Sequence, residues 1–294
     1  MFRFLIIPIL ALAVVSCNDI ERVFNGSSEE KELTYSFACL DSAVGGSNIN
    51  KRLGKAGDLL RDLAAPESKI TDEVQSEYGR MFHQQMQEQP GFKLSGDKRI
   101  QQKLDKVLAD LLQARQGGSN INYAVHLLED TAVNAYTFGG QIYITRAMLQ
   151  KCAGNDGLLY AIIGHEIGHS EMGHIKQTLQ DLQISTKVFG EQGAQSFMQI
   201  KNLLTASFNQ RNELEADYYG INLTNDLGYD VCTAVAFWRE MASAENRYSQ
   251  VEDFFRTHPF SGLRSDCLTA HIATNFGKEC GDINRSNALP QVVE

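Results

Sequence analysis

The sequence predicts an α+β protein, mostly helical, with one small β-sheet and a buried helix rich in titratable side chains. Three observations carry this expectation. Beyond residue 50, apolar residues recur mainly at helical spacing. The period changes around residues 122–145, where two short runs are rich in β-branched and aromatic residues. Finally, IIGHEIGHSEMGH, residues 162–174, sets three histidines and two glutamates among apolar and small residues.

The elements follow in order. A helical pattern near 51–64 is broken by Pro66, and Ile70–Gln89 reads as a helix that Ser68 or Thr71 can cap and Pro90-Gly91 ends. Lys98–Gln113 carries Ile100, Leu104, Val107, Leu108 and Leu111 at amphipathic spacing, and Gly117-Gly118 stops it. Asn122–Leu128 and Gln141–Thr145 are the expected strands, with a bend over 134–140 between them. Arg146–Gln150 starts a short helix. Asn155 or Asp156 caps the next, which is expected to run on to about Leu182. Residues 183–200 read as a lid or a broken helix. Helices are expected over Ile200–Leu227, Val231–Glu245, Val251–Arg256 and Arg264–Phe276.

Bulk properties exclude some functions. The 294 residues carry 27 Lys+Arg against 36 Asp+Glu, a formal net charge of −9, with no long basic run, so nucleic acid is not an expected partner. A hydrophobic share of 43% with only 5 prolines suits a packed globular domain. The N-terminus is distinct: MFRFLIIPILALAVVSCND has one Arg and then an apolar run, Phe4 to Val15, that is short for a bilayer span and ends in small residues, the pattern of a secretory signal. Val14-Val15-Ser16-Cys17 resembles the lipobox of bacterial lipoproteins, which implies cleavage before Cys17 and a diacylglycerol on its thiol. Such an anchor places the chain on a membrane without a spanning helix, with the outer membrane favoured over the inner and the domain facing the periplasm. Export permits disulfides among Cys39, Cys152, Cys232, Cys267 and Cys280. Cys267 with Cys280 and Cys152 with Cys232 are candidate pairs, though the sequence does not decide connectivity.

His165-Glu166-Ile167-Gly168-His169 is an HExxH pattern. Residues four apart on a helix lie about 40° apart round the axis, so both imidazoles can address one ion while Glu166 reaches a water beside it. The alternative is an ordinary helix with a wet face. Against it, Ile162, Ile163 and Ile167 suit a buried helix, where two histidines and a glutamate without a metal are costly. His174 lies about 140° from His169 on a continuous helix and is read as a helix-end residue or a support to a ligand. Glu213 and Asp217, four apart in NELEAD, share a helical face, which suits one carboxylate on a metal and one on a ligand histidine's other N–H. Glu215 is expected to face away. His83, His126 and His271 read as isolated structural histidines, and Tyr218-Tyr219 as packing.

HEIGH, then ELEAD, preceded by NAYTFGGQIYIT and followed by Thr257-His258-Pro259 with Arg264 behind, together resemble the M48 family of zinc metallopeptidases, nearest its soluble periplasmic members. The resemblance implies a zincin-like metallopeptidase domain. It implies one Zn²⁺ held by His165, His169 and Glu213, Glu166 as catalytic base and Asp217 holding a ligand histidine. It further implies that Asn134, Gly139, Gly140 and the strand containing Gln141, Ile142 and Tyr143 form the edge on which substrate backbone lies. His258 is expected to stabilise an oxyanion or to close the metal site at rest. One departure is Gln210, where many members carry Arg, with Arg211 one residue later. The expected organisation is a lipoprotein signal over 1–16, a tether and N-terminal helical region over 17–74, the peptidase domain over 75–281 and a tail over 282–294. The expected activity is cleavage of unfolded or misassembled envelope proteins; a chaperone-like or self-inhibited zinc lipoprotein is the alternative.

Overall fold

The computed structural model describes residues 32–41, 67–189, 208–244, 258 and 262–281. The signal with Cys17, the helices expected over 51–64 and 251–256, residues 190–200 and the tail lie outside the described residues.

The chain enters through a single helical turn, Ala38–Asp41, and then α1 (Asp72–Gln87) and α2 (Lys98–Ala114). Thr71 caps α1, accepting from the Val74 N–H at 3.3 Å. Asp97 caps α2 through the N–H groups of Arg99 and Ile100. Leu104, Val107, Leu108 and Leu111 are the buried face of α2, as their spacing predicts.

The sheet has three strands: β1 (Ala124–Leu128), β2 (Ala135–Phe138) and β3 (Gln141–Thr145), in the order β1-β3-β2. β1 pairs with β3 in parallel, and β2 with β3 antiparallel. The expected bend over 134–140 is therefore a strand and a two-residue turn. Gly139 and Gly140 have φ of 58° and 88°, the left-handed pair that a tight hairpin matching strand twist requires. Four residues are too few to display an alternation, so β2 escapes a pattern search.

A short helix, α3 (Arg146–Lys151), leads to α4 (Asp156–Glu171), capped by Asn155 through the Leu158 N–H at 3.0 Å. Every residue of α4 from Gly157 to Ser170 is buried, His165, Glu166 and His169 among them. The helix does not run on to Leu182. Met172 and Gly173, the latter at φ 80°, break it, and α5 (His174–Phe189) starts afresh. The chain continues through α6 (Gln210–Asp226), α7 (Cys232–Ala244) and α8 (Gly262–Phe276). α6 begins later than its sequence pattern suggests because Asn209 caps it, accepting from the Asn212 N–H at 2.9 Å.

α4 and α6 pack backbone to backbone. A Cβ on Gly164 would sit 2.9 Å from the Gly220 Cα, one on Gly168 3.0 Å from the Ala216 Cα, and one on Gly220 2.6 Å from the His165 nitrogen. Glycine and alanine at these crossings bring the acidic residues of α6 level with the histidines of α4. Ile142 and Ile144 face the core shared with α4, while Tyr143 and Phe138 face α1 on the other side of the sheet.

Two disulfides differ from the expected pairing. Cys39 bonds Cys267, and Cys232 bonds Cys280, leaving Cys152 as a buried thiol that burial pushes up to about 12. Cys267 lies about 14 Å along α8 from its C-terminal end and meets Cys39 there, whereas Cys280, past that end, meets Cys232 at the start of α7. Cys39 fastens the N-terminal segment to α8, and Tyr218 Oη donates to the Ser36 carbonyl at 2.5 Å. Among the described residues, no helix is long and apolar enough to cross a membrane.

Candidate metal centre

His165 and His169 project from one face of α4, and their Nε2 atoms lie 3.0 Å apart. Glu213, on α6, faces both: its carboxylate oxygens are 3.6 Å from His165 Nε2 and 3.4 Å from His169 Nε2. His258 joins them, with Nδ1 3.1 Å from a Glu213 oxygen and 3.3 Å from His165 Nε2. One potential ligand atom from each of these four buried residues lies within 4.8 Å of the others.

Asp217, one turn beyond Glu213, accepts from His165 Nδ1–H at 2.9 Å. That leaves the Nε2 lone pair of His165 aimed at the cluster, the effect a carboxylate partner has on a ligand histidine. Arg264, from α8, holds both carboxylates. Its Nε and Nη2 reach Asp217 at 2.8 and 2.9 Å, and Nη1 lies 2.9 Å from Glu213. The guanidinium is fully buried and lies over Trp238 at 5.6 Å. This fork of charge-assisted bonds fixes two carboxylates with one side chain. The sequence marks Arg264 only by its place behind His258; its partners depend on how α8 meets α6.

Burial, aided by His165 and His174, holds His169 well below the ordinary imidazole range, so it is neutral as a ligand must be. Burial opposes the charge of Glu213, but His258, Arg264 and His169 outweigh it and hold the carboxyl well below its usual range. Burial also opposes the charge of Asp217, and Arg264 and His165 overcome it. Glu166 goes the other way: burial raises it, only partly offset by His258 and His165. Its Oε1 lies 3.4 Å from His258 Nε2, and its Oε2 is buried without a hydrogen-bond partner. Burial works against a charge on His258, yet Glu213 and Glu166 raise it to about 9. A divalent cation among these groups would reverse that balance.

The expected substrate edge is placed differently. β3, with Gln141, Ile142 and Tyr143, is the central strand, so β1 and β2 take its backbone groups on both sides. Gln141 bonds His126 at 2.8 Å, Ile142 is in the core, and Tyr143 is buried beneath α1. Gly139 is pressed on the backbone of Gln75 and Gly79, and Gly140 on Asn122, so both close the hairpin. The Asn134 carbonyl accepts from the Thr145 N–H at 3.0 Å. Alternation then turns the Ala135 carbonyl to the open side of β2, where His258 Nε2 donates to it at 3.0 Å. The strand edge beside the metal centre is thus β2, a strand absent from the expected set.

His83 and His126 are not isolated: the His83 ring, on α1, stacks on that of His126, on β1, at 4.2 Å, and His83 bonds Tyr143 Oη.

The donor set fits a metal ion. Two imidazole nitrogens and a carboxylate converge at one buried point, and an unpartnered carboxylate oxygen lies beside them. A mostly helical fold with a small sheet, carrying HExxH on one buried helix and a third donor on the next, defines a zincin-like metal centre. The chain belongs to peptidase family M48: the family's sequence profile matches residues 96–272. Among curated proteins, the mitochondrial metalloendopeptidase OMA1 of Schizosaccharomyces pombe is 29% identical over 159 residues, 51% of this chain and 47% of that protein. The metalloprotease LoiP of Escherichia coli is 28% identical over 181 residues, 57% of this chain and 69% of its own length. The beta-barrel assembly-enhancing protease of the same organism is 25% identical over 155 residues, 47% of this chain and 32% of that one. The chain thus spans about half the length of the two yeast OMA1 relatives, and about a third of the bovine and Arabidopsis ones.

Proposed function

We propose that this protein is a zinc metalloendopeptidase. The observation that carries the reading is the convergence of His165, His169 and Glu213 beside an unpartnered Glu166 oxygen, in a chain of peptidase family M48. His165, His169 and Glu213 hold the ion. Zinc bound there would supply Lewis acidity, lowering the pKa of a water to about 7 and polarising a scissile carbonyl. Glu166 takes the proton of the attacking water and passes it to the leaving amine. Asp217 and Arg264 keep His165 and Glu213 in place. His258 donates to the oxyanion once its ring is released from the Ala135 carbonyl.

Substrate backbone pairs with the open side of β2, which favours extended, unfolded chains over particular sequences. We assign the protein to the bacterial envelope, attached through a lipid on Cys17 and acting on unfolded or misassembled envelope proteins. Two disulfides support an oxidising compartment, and the names of two bacterial relatives, a metalloprotease and a beta-barrel assembly-enhancing protease, support a protease role.

A second reading is favoured by one contact. His258 stands among the potential ligands and bonds the strand edge, so the resting protein can be self-inhibited, with zinc bound and the edge covered. Casein cleavage by wild type and Glu166→Gln tests the main reading. Cleavage by wild type alone, with equal zinc in both, is expected. Full activity in Glu166→Gln refutes the role of Glu166. Zinc in both with cleavage in neither favours the self-inhibited form, which His258→Ala then activates.

A further inference from the structure

Asp217 orients His165, but His169 also has a second ring nitrogen inside the protein. That nitrogen, Nδ1, lies 3.0 Å from Nδ1 of His174. His174 is 1% exposed and opens α5, where the Gly173 break swings it back beside His169. Its other nitrogen, Nε2, lies 3.2 Å from a Glu215 oxygen. The second Glu215 oxygen accepts from Arg211 Nε at 2.9 Å. Phe208 stacks on the His169 ring at 4.1 Å and shields it. Glu215, expected to face away from the centre, reaches it through a histidine.

With both rings neutral, only one placement of protons satisfies this row. A carboxylate accepts and does not donate, so His174 carries its proton on Nε2 and gives it to Glu215. His174 Nδ1 is then a lone pair and must accept. His169 therefore carries its own proton on Nδ1 and presents a bare Nε2 to the cluster. The reverse placement puts a proton on His169 Nε2, where a metal must bind, and sets the lone pair of His174 Nε2 against a carboxylate.

We propose that His174 and Glu215 are positioning residues for His169, the carboxylate of Glu215 fixing the tautomer of His174 and His174 fixing that of His169. The metal centre then has two orienting arms, Asp217–Arg264 for His165 and His174–Glu215–Arg211 for His169. The inference rests on the reading of His169 as a ligand.

Zinc affinity of the full chain, measured by competition with a chromophoric chelator, tests it. His174→Phe and Glu215→Leu are expected to weaken zinc by roughly 10- to 100-fold. Glu215→Gln, whose amide oxygen still accepts from His174, is expected to recover most of the loss. Wild-type affinity in folded His174→Phe and Glu215→Leu overturns the proposal; no zinc in wild type instead overturns the metal reading beneath it. Imidazole nitrogen NMR of the zinc-loaded wild type needs no variant. A protonated Nε2 on His174 and a protonated Nδ1 on His169 are expected, and a proton on His174 Nδ1 overturns the proposal.

Discussion

At the scale of single residues, titration away from the metal reports on packing. His271 is buried on α8, where Asn275 donates to its Nδ1 and its Nε2–H reaches the Asn222 side-chain Oδ1 at 2.8 Å. Burial lowers it to about 4, with the Thr34 carbonyl pulling weakly the other way. The unfolded chain takes up this proton below about pH 6.5, whereas the folded chain waits until about 4. Stability should therefore fall as pH drops through that window, by on the order of 1 kcal/mol per unit from this residue. Urea unfolding at pH 7 and pH 5 should show a smaller difference in His271→Gln than in wild type; an unchanged difference would show that His271 is not the source. The residues most legible in the sequence were those whose meaning lies in spacing along one helix: His165, Glu166 and His169 on α4, Glu213 and Asp217 on α6. Arg264, His174 and Glu215 were not legible in the same way. Their partners lie on other elements, and the angles between those elements are set by packing.

At the scale of elements, the centre exists because α4 and α6 touch along glycine. Gly164 and Gly168 on one helix meet Ala216 and Gly220 on the other, four residues apart in each. That spacing is the packing signal of the two helices. Gly220→Ala places a Cβ 2.6 Å from the His165 backbone nitrogen, which cannot rotate away. The helices must part, at a cost of about 1–3 kcal/mol. Loss of thermal stability together with weakened zinc binding is the expected result, and a variant with unchanged melting and zinc affinity would contradict the packing account. β2 shows the opposite limit. A strand of four residues carries too little pattern to be read alone, yet it supplies the strand edge that His258 bonds beside the four clustered side chains.

At the scale of the molecule, the N-terminal segment is tied to the metal helices from behind. Thr34 bonds Asn275, Phe37 packs on Arg211, and Cys39 closes a disulfide to Cys267 across 228 positions of sequence. The connectivity was beyond the sequence because it depends on which helix ends meet in space. Cys39→Ser with Cys267→Ser is expected to lose about 2–4 kcal/mol by denaturant unfolding; an unchanged midpoint would mean that the segment is held without the bond. The whole arrangement, buried acids and histidines on two helices packed through glycine, makes sense around an ion. The most direct test is zinc content per chain in purified wild type beside Glu213→Ala. One zinc per chain in wild type, and its loss on dialysis from a folded Glu213→Ala, is the expected result. A well-folded wild type without zinc, or a variant that keeps it undiminished, would contradict the account.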